Sequence, residues 1–267
     1  MCYDSHMTTS ETEHHKRIQE QFTKQAVPFT QLKGHLDSLE ILIELSKAST
    51  NDAVLDVGCG PGLVACEFAR KARHVSGIDL TEKMIEEARR RQEAESLSNM
   101  DWRVGSAAEL PYDDNSFSVV VTRYTFHHFI DPRVILSEMI RVCKPKGRVL
   151  IADPALPSQF VDAYNEMERL RDPSHTRALS IEDFDSMLVS SGLTDIQRSG
   201  YGVDMELEQQ LAASFPNPGD EEKLREIFQT DLTENRLGTR TRLVDDKIYF
   251  TYPISIYVGI KSAEQTL

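Results

Sequence analysis

Val54-Leu55-Asp56-Val57-Gly58-Cys59-Gly60-Pro61-Gly62 is a short apolar run that breaks into glycines at alternate positions and leads into a helical pattern. Glycine has no Cβ, so such a loop turns sharply and lets a ligand approach the backbone. In an open α/β sheet, ligands bind in the crevice beyond the carboxyl ends of the strands, next to the loop after the first strand. The spacing argues against one ligand class. A dinucleotide fingerprint, Gly-x-Gly-x-x-Gly, uses its third glycine for close helix–strand packing, and Leu63 stands at that position.

Outward from this loop, strands and helices alternate. The pattern gives strand 53–57, helix 62–72, strand 74–78, helix 81–95, strand 101–104, strand 117–122, helix 132–143 and strand 147–152. This order predicts an α/β, doubly wound, Rossmann-like sheet with helices on both faces. Thr81 suits an N-cap ahead of an apolar face of Met84, Ile85 and Ala88. Asp131-Pro132 sets a capping carboxylate before a proline at the first helical position. Lys144-Pro145-Lys146-Gly147 is expected to end that helix and turn the chain into the next strand.

Past Pro157 the periodicity changes to helices 158–171 and 181–190, a strand near 194–201, and helical stretches within 205–236 around Pro216-Asn217-Pro218-Gly219. Lys247 to Lys261 is β-rich. The expected organisation is a tail 1–15, cap helices 16–48 broken at Pro28, a cofactor-binding core 49–153, insertions 154–246 forming a substrate lid, and a final core strand 247–262. Ser5-His6-Met7 reads as a cloning scar before a natural start near Met7, so the tail is given no functional weight.

The 267 residues are 40% hydrophobic and 27% charged, ordinary values for a globular chain that buries a sizeable core. A net charge of -13 argues against general nucleic-acid binding. No apolar run approaches the ~20 residues that cross a bilayer. Cys2, Cys59, Cys66 and Cys143 lack paired metal-type spacing, and a cytoplasmic setting with free thiols is expected. No metal is expected, and oligomeric state, monomer or homodimer, is not legible.

Two strand ends add chemistry to the glycine loop. Gly77-Ile78-Asp79 closes the second strand with a carboxylate placed to accept hydrogen bonds from ribose hydroxyls. The same carboxylate also suits a cap for the helix after Thr81. The third strand leads into Gly105-Ser106-Ala107-Ala108, small residues against which an adenine ring can lie.

Together these segments resemble class I S-adenosyl-L-methionine (SAM)-dependent methyltransferases, most nearly the methyltransferase type 11, or ubiquinone/menaquinone C-methyltransferase-like, family. Glu138-Met139-Ile140-Arg141-Val142-Cys143-Lys144-Pro145-Lys146-Gly147 is similar to its E-x-x-R-V-L-K-P-G-G pattern, and the resemblance covers about residues 20–153. It implies a seven-stranded, mostly parallel sheet with an antiparallel last strand, SAM as cofactor and S-adenosyl-L-homocysteine as product. Carried over by position, Gly58, Gly60 and Gly62 border the methionine and ribose. Asp56 orients the amino end, Asp79 holds the ribose, Leu80 packs on adenine, and Ser106 and Ala107 sit at the adenine edge. The family commonly has Asp where Ser106 stands.

The fourth strand ends in Thr122-Arg123-Tyr124-Thr125-Phe126-His127-His128-Phe129. Arg123 is a candidate for the SAM carboxylate and Tyr124 for the methyl pocket. His127, preferred over the adjacent His128, is a candidate base, because histidine suits proton removal near neutral pH. His175, in Arg171-Asp172-Pro173-Ser174-His175, is a second base candidate. Phe22, Phe29, Tyr164, Phe215 and Tyr249 are candidates for an apolar acceptor lid, and Arg240 and Arg242 for an anionic acceptor group. The Asp/Asn-Pro-Pro-Tyr/Phe tetrapeptide of amino-group methyltransferases is absent, which favours an oxygen or carbon acceptor on a small organic molecule. A nicotinamide oxidoreductase and a non-catalytic SAM-binding protein are the rival readings.

Overall fold

The computed structural model describes residues 9–26 and 38–263. The chain opens with α1 (Thr9–Gln25) and α2 (Leu39–Ser46). The alternating core follows: β1 (Ala53–Val57), α3 (Leu63–Ala69), β2 (His74–Asp79), α4 (Glu82–Ala94), β3 (Met100–Val104), β4 (Phe117–Arg123), α5 (Pro132–Val142) and β5 (Cys143–Leu156). After it come α6 (Ser158–Arg171), β6 (Leu179–Ser180), α7 (Ile181–Ser190), β7 (Leu193–Glu206), α8 (Leu207–Ser214), α9 (Asp220–Glu234), β8 (Arg242–Val244) and β9 (Lys247–Lys261). Pro28 and Phe29 lie outside the described residues. Among the described residues no helix is long and apolar enough to cross a membrane.

The main sheet has the order β3-β2-β1-β4-β5-β9-β7. β1 to β5 pair in parallel, and β9 enters antiparallel between β5 and β7. This is the α/β sheet with a reversed last strand that the alternation and the resemblance imply. β1 is buried at every position, as a central parallel strand covered on both faces must be. Strand alternation sorts the side chains into two cores. Val54, Val119, Leu150 and Ile256 pack on one face with Phe68 of α3 and Phe228 of α9. Leu55, Val120, Ile151 and Tyr257 pack on the other with Met139 of α5 and Phe184 of α7. Of the expected helix starts, Asp131 holds, its side chain accepting from the Arg133 amide, and α7 likewise opens with the Ser180 side chain accepting from the Asp183 amide. Thr81 precedes α4 as expected but its side chain makes no capping hydrogen bond; its amide donates to Asp79 instead.

Four boundaries differ from expectation. The residues after α5 enter β5 directly at Cys143, and the pairing skips from Phe117–Cys143 to Val119–Arg148, so Lys144-Pro145-Lys146 forms an irregular strand start. β7 runs on to Glu206 because β9 pairs with it out to Tyr249. The next helix then starts at Leu207, with the Glu206 carboxylate accepting from the amides of Glu208 and Gln209. At the N-terminus the helix begins at Thr9, so residues assigned to a tail without function are structured.

Gly62 precedes α3 at φ 80°, where a Cβ would meet Trp102 Cη2 at 2.9 Å and Ala88 Cβ at 3.1 Å. Gly62→Ala is expected to cost about 2 kcal/mol through backbone strain and overpacking. Thermal unfolding followed by the fluorescence of Trp102, the sole tryptophan, measures it; an unchanged midpoint contradicts the packing.

Candidate active site

A cavity of about 250 Å³ opens where β1, β2 and β4 end. The loop after β1 folds back onto β2, with the Gly58 and Cys59 amides donating to the Ile78 carbonyl at 2.8 and 3.0 Å. Gly58 has φ 67°, and a Cβ there would stand 2.4 Å from Thr125 Cγ2, so the loop closes against β4 only with glycine. Gly60, at φ 50°, has nothing within 4 Å of its Cβ direction and leaves open space on the cavity wall. Its amide donates to Asp79 Oδ2 at 2.9 Å, while the Thr81 amide donates to Asp79 Oδ1 at 2.8 Å. Asp79 thus takes the amide of the residue that precedes α4, and it also borders the cavity with lone pairs to spare.

Asp56, 1% exposed on the cavity wall, has an Oδ2 with no hydrogen-bond partner among the described residues. Burial pushes its carboxyl up to about 7, the charge of Asp79 adding to the rise and the Ala65 amide and Arg123 opposing it. A buried carboxylate with an open oxygen requires a donor, best a cationic one. Arg123 lies 4.1 Å over the Tyr124 ring and donates to the hydroxyls of Tyr124 at 2.9 Å and Tyr201 at 3.1 Å. Tyr124 adopts φ 59°, a left-handed backbone that costs energy for a bulky residue.

His127 follows in a short 3-10 turn, Phe126–His128. Its Nδ1 lies 2.6 Å from Asp153 Oδ1, and the Asp153 carboxylate also accepts the backbone amides of Phe126 at 2.5 Å and His127 at 3.3 Å. An ionised Asp153 accepts only, so Nδ1 carries the proton of the neutral ring and Nε2 carries the lone pair. Nε2 makes no hydrogen bond among the described residues, and the ring lines the cavity. Burial opposes the charged imidazole, yet the Asp153 and Glu168 carboxylates outweigh it and raise the His127 pKa above its ordinary value.

The other two histidines are differently engaged. His128 Nδ1 faces the Ser174 carbonyl at 3.1 Å, and burial with the neighbouring His127 charge lowers its pKa. His175 sits behind His127, ring centroids 5.3 Å apart, with Nε2 on Asn165 Oδ1 at 2.6 Å. It does not border the cavity, and burial strongly disfavours its charged form, so it is a packing residue rather than a base.

Leu80, Ser106, Ala107, Tyr124 and Tyr164 border the cavity. The Ser106 hydroxyl accepts from the Ala108 amide at 3.2 Å. Gly62 does not border it, being turned against Trp102. Arg240 and Arg242 do not either: Arg242 pairs with Asp204 at 3.0 Å on the β8–β9 side, and Arg240 is exposed. Phe29 lies outside the described residues. Reading the sequence missed Asp153, although it follows the last residue of β5 that pairs with β4, and position near the carboxyl end of a parallel strand was the available signal. Phe22 of α1, expected in the lid, borders the cavity; the start of α1 was missed, where His14 also lines the wall with Nε2 at 2.7 Å from the His128 carbonyl.

Comparison with known proteins agrees with this geometry. A family profile described as a methyltransferase domain matches residues 55–151. YcgJ, an uncharacterized methyltransferase of Bacillus subtilis (strain 168), is 30% identical over 214 residues, 74% of this chain and 84% of that protein. The chain belongs to this methyltransferase family. The YcgJ crystal structure matches with a TM-score of 0.78 at 27% identity, over 84% of this chain and 98% of that one. A putative methyltransferase from Bacillus halodurans C-125 gives 0.75 at 28% identity, over 84% and 99%. The ubiquinone/menaquinone biosynthesis C-methyltransferase of Ruegeria sp. (strain TM1040) is 37% identical over 103 residues, 38% of this methyltransferase and 41% of that one, so that match spans less than half of each.

A raised folded-state pKa means that the His127–Asp153 pair contributes most to stability below the ordinary histidine range and loses its contribution as pH rises through the folded value. In Asp153→Asn, burial acts without the opposing charge, and the His127 midpoint, followed by NMR of the imidazole carbon, is expected to fall below that of the parent. The stability gap between the two proteins is expected to narrow with rising pH. A midpoint that does not move contradicts the pairing.

Proposed function

We propose that this methyltransferase moves the methyl group of S-adenosyl-L-methionine to an oxygen or carbon atom of a small organic acceptor, with His127 removing the acceptor's proton. The observation that carries the reading is one cavity bordered both by the glycine cradle and by a histidine whose Nε2 is open and whose Nδ1 is held by a buried carboxylate. The residues fit the cofactor. The open Oδ2 of Asp56 and the unfilled space at Gly60 suit an ammonium-bearing tail laid along the loop. Asp79 keeps acceptor capacity for ribose hydroxyls, and Leu80 and Ala107 offer a surface to adenine. Arg123 is the cation placed to meet the carboxylate. When bound, the cofactor supplies a methyl group activated on a sulfonium.

The protein's own part is positioning and proton removal. Asp153 holds the tautomer in which Nε2 accepts, and the turn that carries His127 is tied to β5 through two backbone amides. Holding acceptor and donor in register supplies much of the rate in such a displacement. An oxygen or carbon acceptor needs a base, which the His127–Asp153 pair supports. The acidic surface favours a small molecule over a nucleic acid.

Methyl transfer from labelled SAM to a panel of phenols, enols, carboxylic acids and amines tests the reading. Turnover on a phenol or enol is expected, and His127→Gln is expected to lower kcat by about 10²- to 10⁴-fold with S-adenosylhomocysteine affinity unchanged. Transfer confined to amines, or full activity of the variant, overturns it. Because the Asp56 carboxyl ionises at about 7 in the free protein, affinity for S-adenosylhomocysteine is expected to rise as pH rises through that value. Calorimetry across this range should show the rise in the parent and a flat profile in Asp56→Asn.

A further inference from the structure

The wall built by α6 and α8 carries a hydrogen-bonded belt that the cofactor and the His127–Asp153 pair leave unused. Tyr252 donates its hydroxyl to Glu168 Oε1 at 3.2 Å. Glu168 receives Arg171 at two points, Nε at 2.9 Å to Oε1 and Nη2 at 2.6 Å to Oε2. Arg171 Nη1 reaches Ser214 Oγ at 3.3 Å, and Gln210 Nε2 reaches the same oxygen at 3.2 Å. Ser214 spends its own hydroxyl proton on the Gln210 main-chain carbonyl at 2.6 Å, so its oxygen can only accept. This fixes the Gln210 amide with nitrogen toward Ser214 and its Oε1 turned away.

Two members of this wall are left open. Among the described residues, Gln210 Oε1 and the Tyr164 hydroxyl are buried without a hydrogen-bond partner, and both residues border the cavity. Gln210 is 6% exposed and Tyr164 0%. A buried polar atom left unpaired costs free energy that a ligand recovers by pairing it. One is an acceptor; the other is a phenol whose proton seeks an acceptor.

The charges on the same wall are already met. Arg171 faces Glu168 and, at 4.0 Å, Asp172. Asp172 accepts the Ser174 amide at 2.8 Å, the Ser174 hydroxyl at 2.6 Å and Gln25 Nε2 at 3.3 Å. Neither a carboxylate nor an ammonium on the acceptor finds an unmatched counter-charge here. The remaining surface includes the apolar Phe22, Val203 and Ile254.

We propose that Tyr164 and Gln210 form the acceptor-recognition site, and that it selects an uncharged molecule with a hydroxyl on an apolar body. This hydroxyl, distinct from the atom that takes the methyl group, accepts from Tyr164 and donates its proton to Gln210. This deepens the methyl-transfer reading and rests on it for the role of the bound molecule, while the recognition itself is read from binding alone.

The test uses the full chain loaded with S-adenosylhomocysteine and three probes of one shape: phenol, benzoate and benzylammonium, each titrated by ligand-observed NMR. Phenol is expected to bind, with benzoate and benzylammonium weaker by about ten-fold or more. Tyr164→Phe and Gln210→Leu are each expected to weaken phenol roughly five-fold while S-adenosylhomocysteine affinity, which reports the folded cofactor end, stays the same. Equal or tighter binding of either charged probe, no phenol binding, or phenol binding untouched by both variants overturns the proposal. If S-adenosylhomocysteine does not bind the parent, the methyl-transfer reading fails instead. The same titrations on the cofactor-free protein then decide the recognition site.

Discussion

A carboxylate withdrawn from water must be met by donors, and Asp153, at 2% exposure, is met by three. They come from the turn after β4, so the ends of two neighbouring strands are tied through a side chain just where the sheet stops pairing at Arg123–Ala152. The tie reaches further. The His127 carbonyl, fixed by the same turn, accepts the amides of Thr176 and Arg177 at 2.9 and 3.1 Å and the Thr176 hydroxyl at 2.7 Å. The insertion after α6 therefore docks on a turn that Asp153 holds. Stripping one partner from a buried ionic pair of this kind costs about 3–5 kcal/mol, which keeps the arrangement in one geometry and gives the His127 ring one orientation.

The opposite side of the cavity is governed by steric exclusion. Gly58 must be glycine because Thr125 occupies the place of its Cβ, and Thr125 is held there by a short hydrogen bond to the Thr122 hydroxyl, which itself donates to the Val57 carbonyl at 2.7 Å. The strained backbone at Tyr124 lies inside the same tight corner. Local strain of this sort survives only where the surroundings over-determine it. Here the chain leaves β4 in a left-handed step at Tyr124, and the turn that follows sets Thr125 against Gly58 and His127 on the cavity wall.

The parts legible in the sequence are those whose chemistry is local. Glycines, the carboxylate of Asp79 and the strand–helix alternation act over a few residues, and the structure places Asp56, Gly58, Gly60 and Asp79 on one cavity wall. Asp153 makes no motif; its meaning comes from a turn at the end of the neighbouring strand. Glu168 and Arg171, spaced i,i+3, look like an ordinary exposed helix pair, and only burial by Tyr252 and α8 reveals otherwise. Arg240 and Arg242 were misplaced because charge near a strand says nothing about which end of the sheet it faces. The start of α1, with His14, was hidden for a different reason. The helix is seated by polar side chains on main-chain carbonyls, Gln19 on Leu80 at 3.1 Å and Gln21 on Ser214 at 2.6 Å, and such contacts leave no hydrophobic pattern.

The two sides of the cavity also divide the protons between them. Burial beside Glu168 holds the phenols of Tyr164 and Tyr252 far above their ordinary range, and burial with nearby positive charge holds His128 and His175 neutral. Arg171, despite burial, is kept charged by Glu168. These groups are locked in one state across the working pH range, so they recognise and orient without exchanging protons. His127 differs because its partner is a carboxylate that stabilises the protonated ring, while its Nε2 makes no hydrogen bond among the described residues and the residue borders the cavity. On the proposed reading a proton released by the acceptor goes to His127 Nε2, and Asp153 then stabilises the imidazolium that results. The buried carboxylate that fixes the turn is thus the same group that raises the histidine's pKa, so the fold and the proposed chemistry meet in one residue.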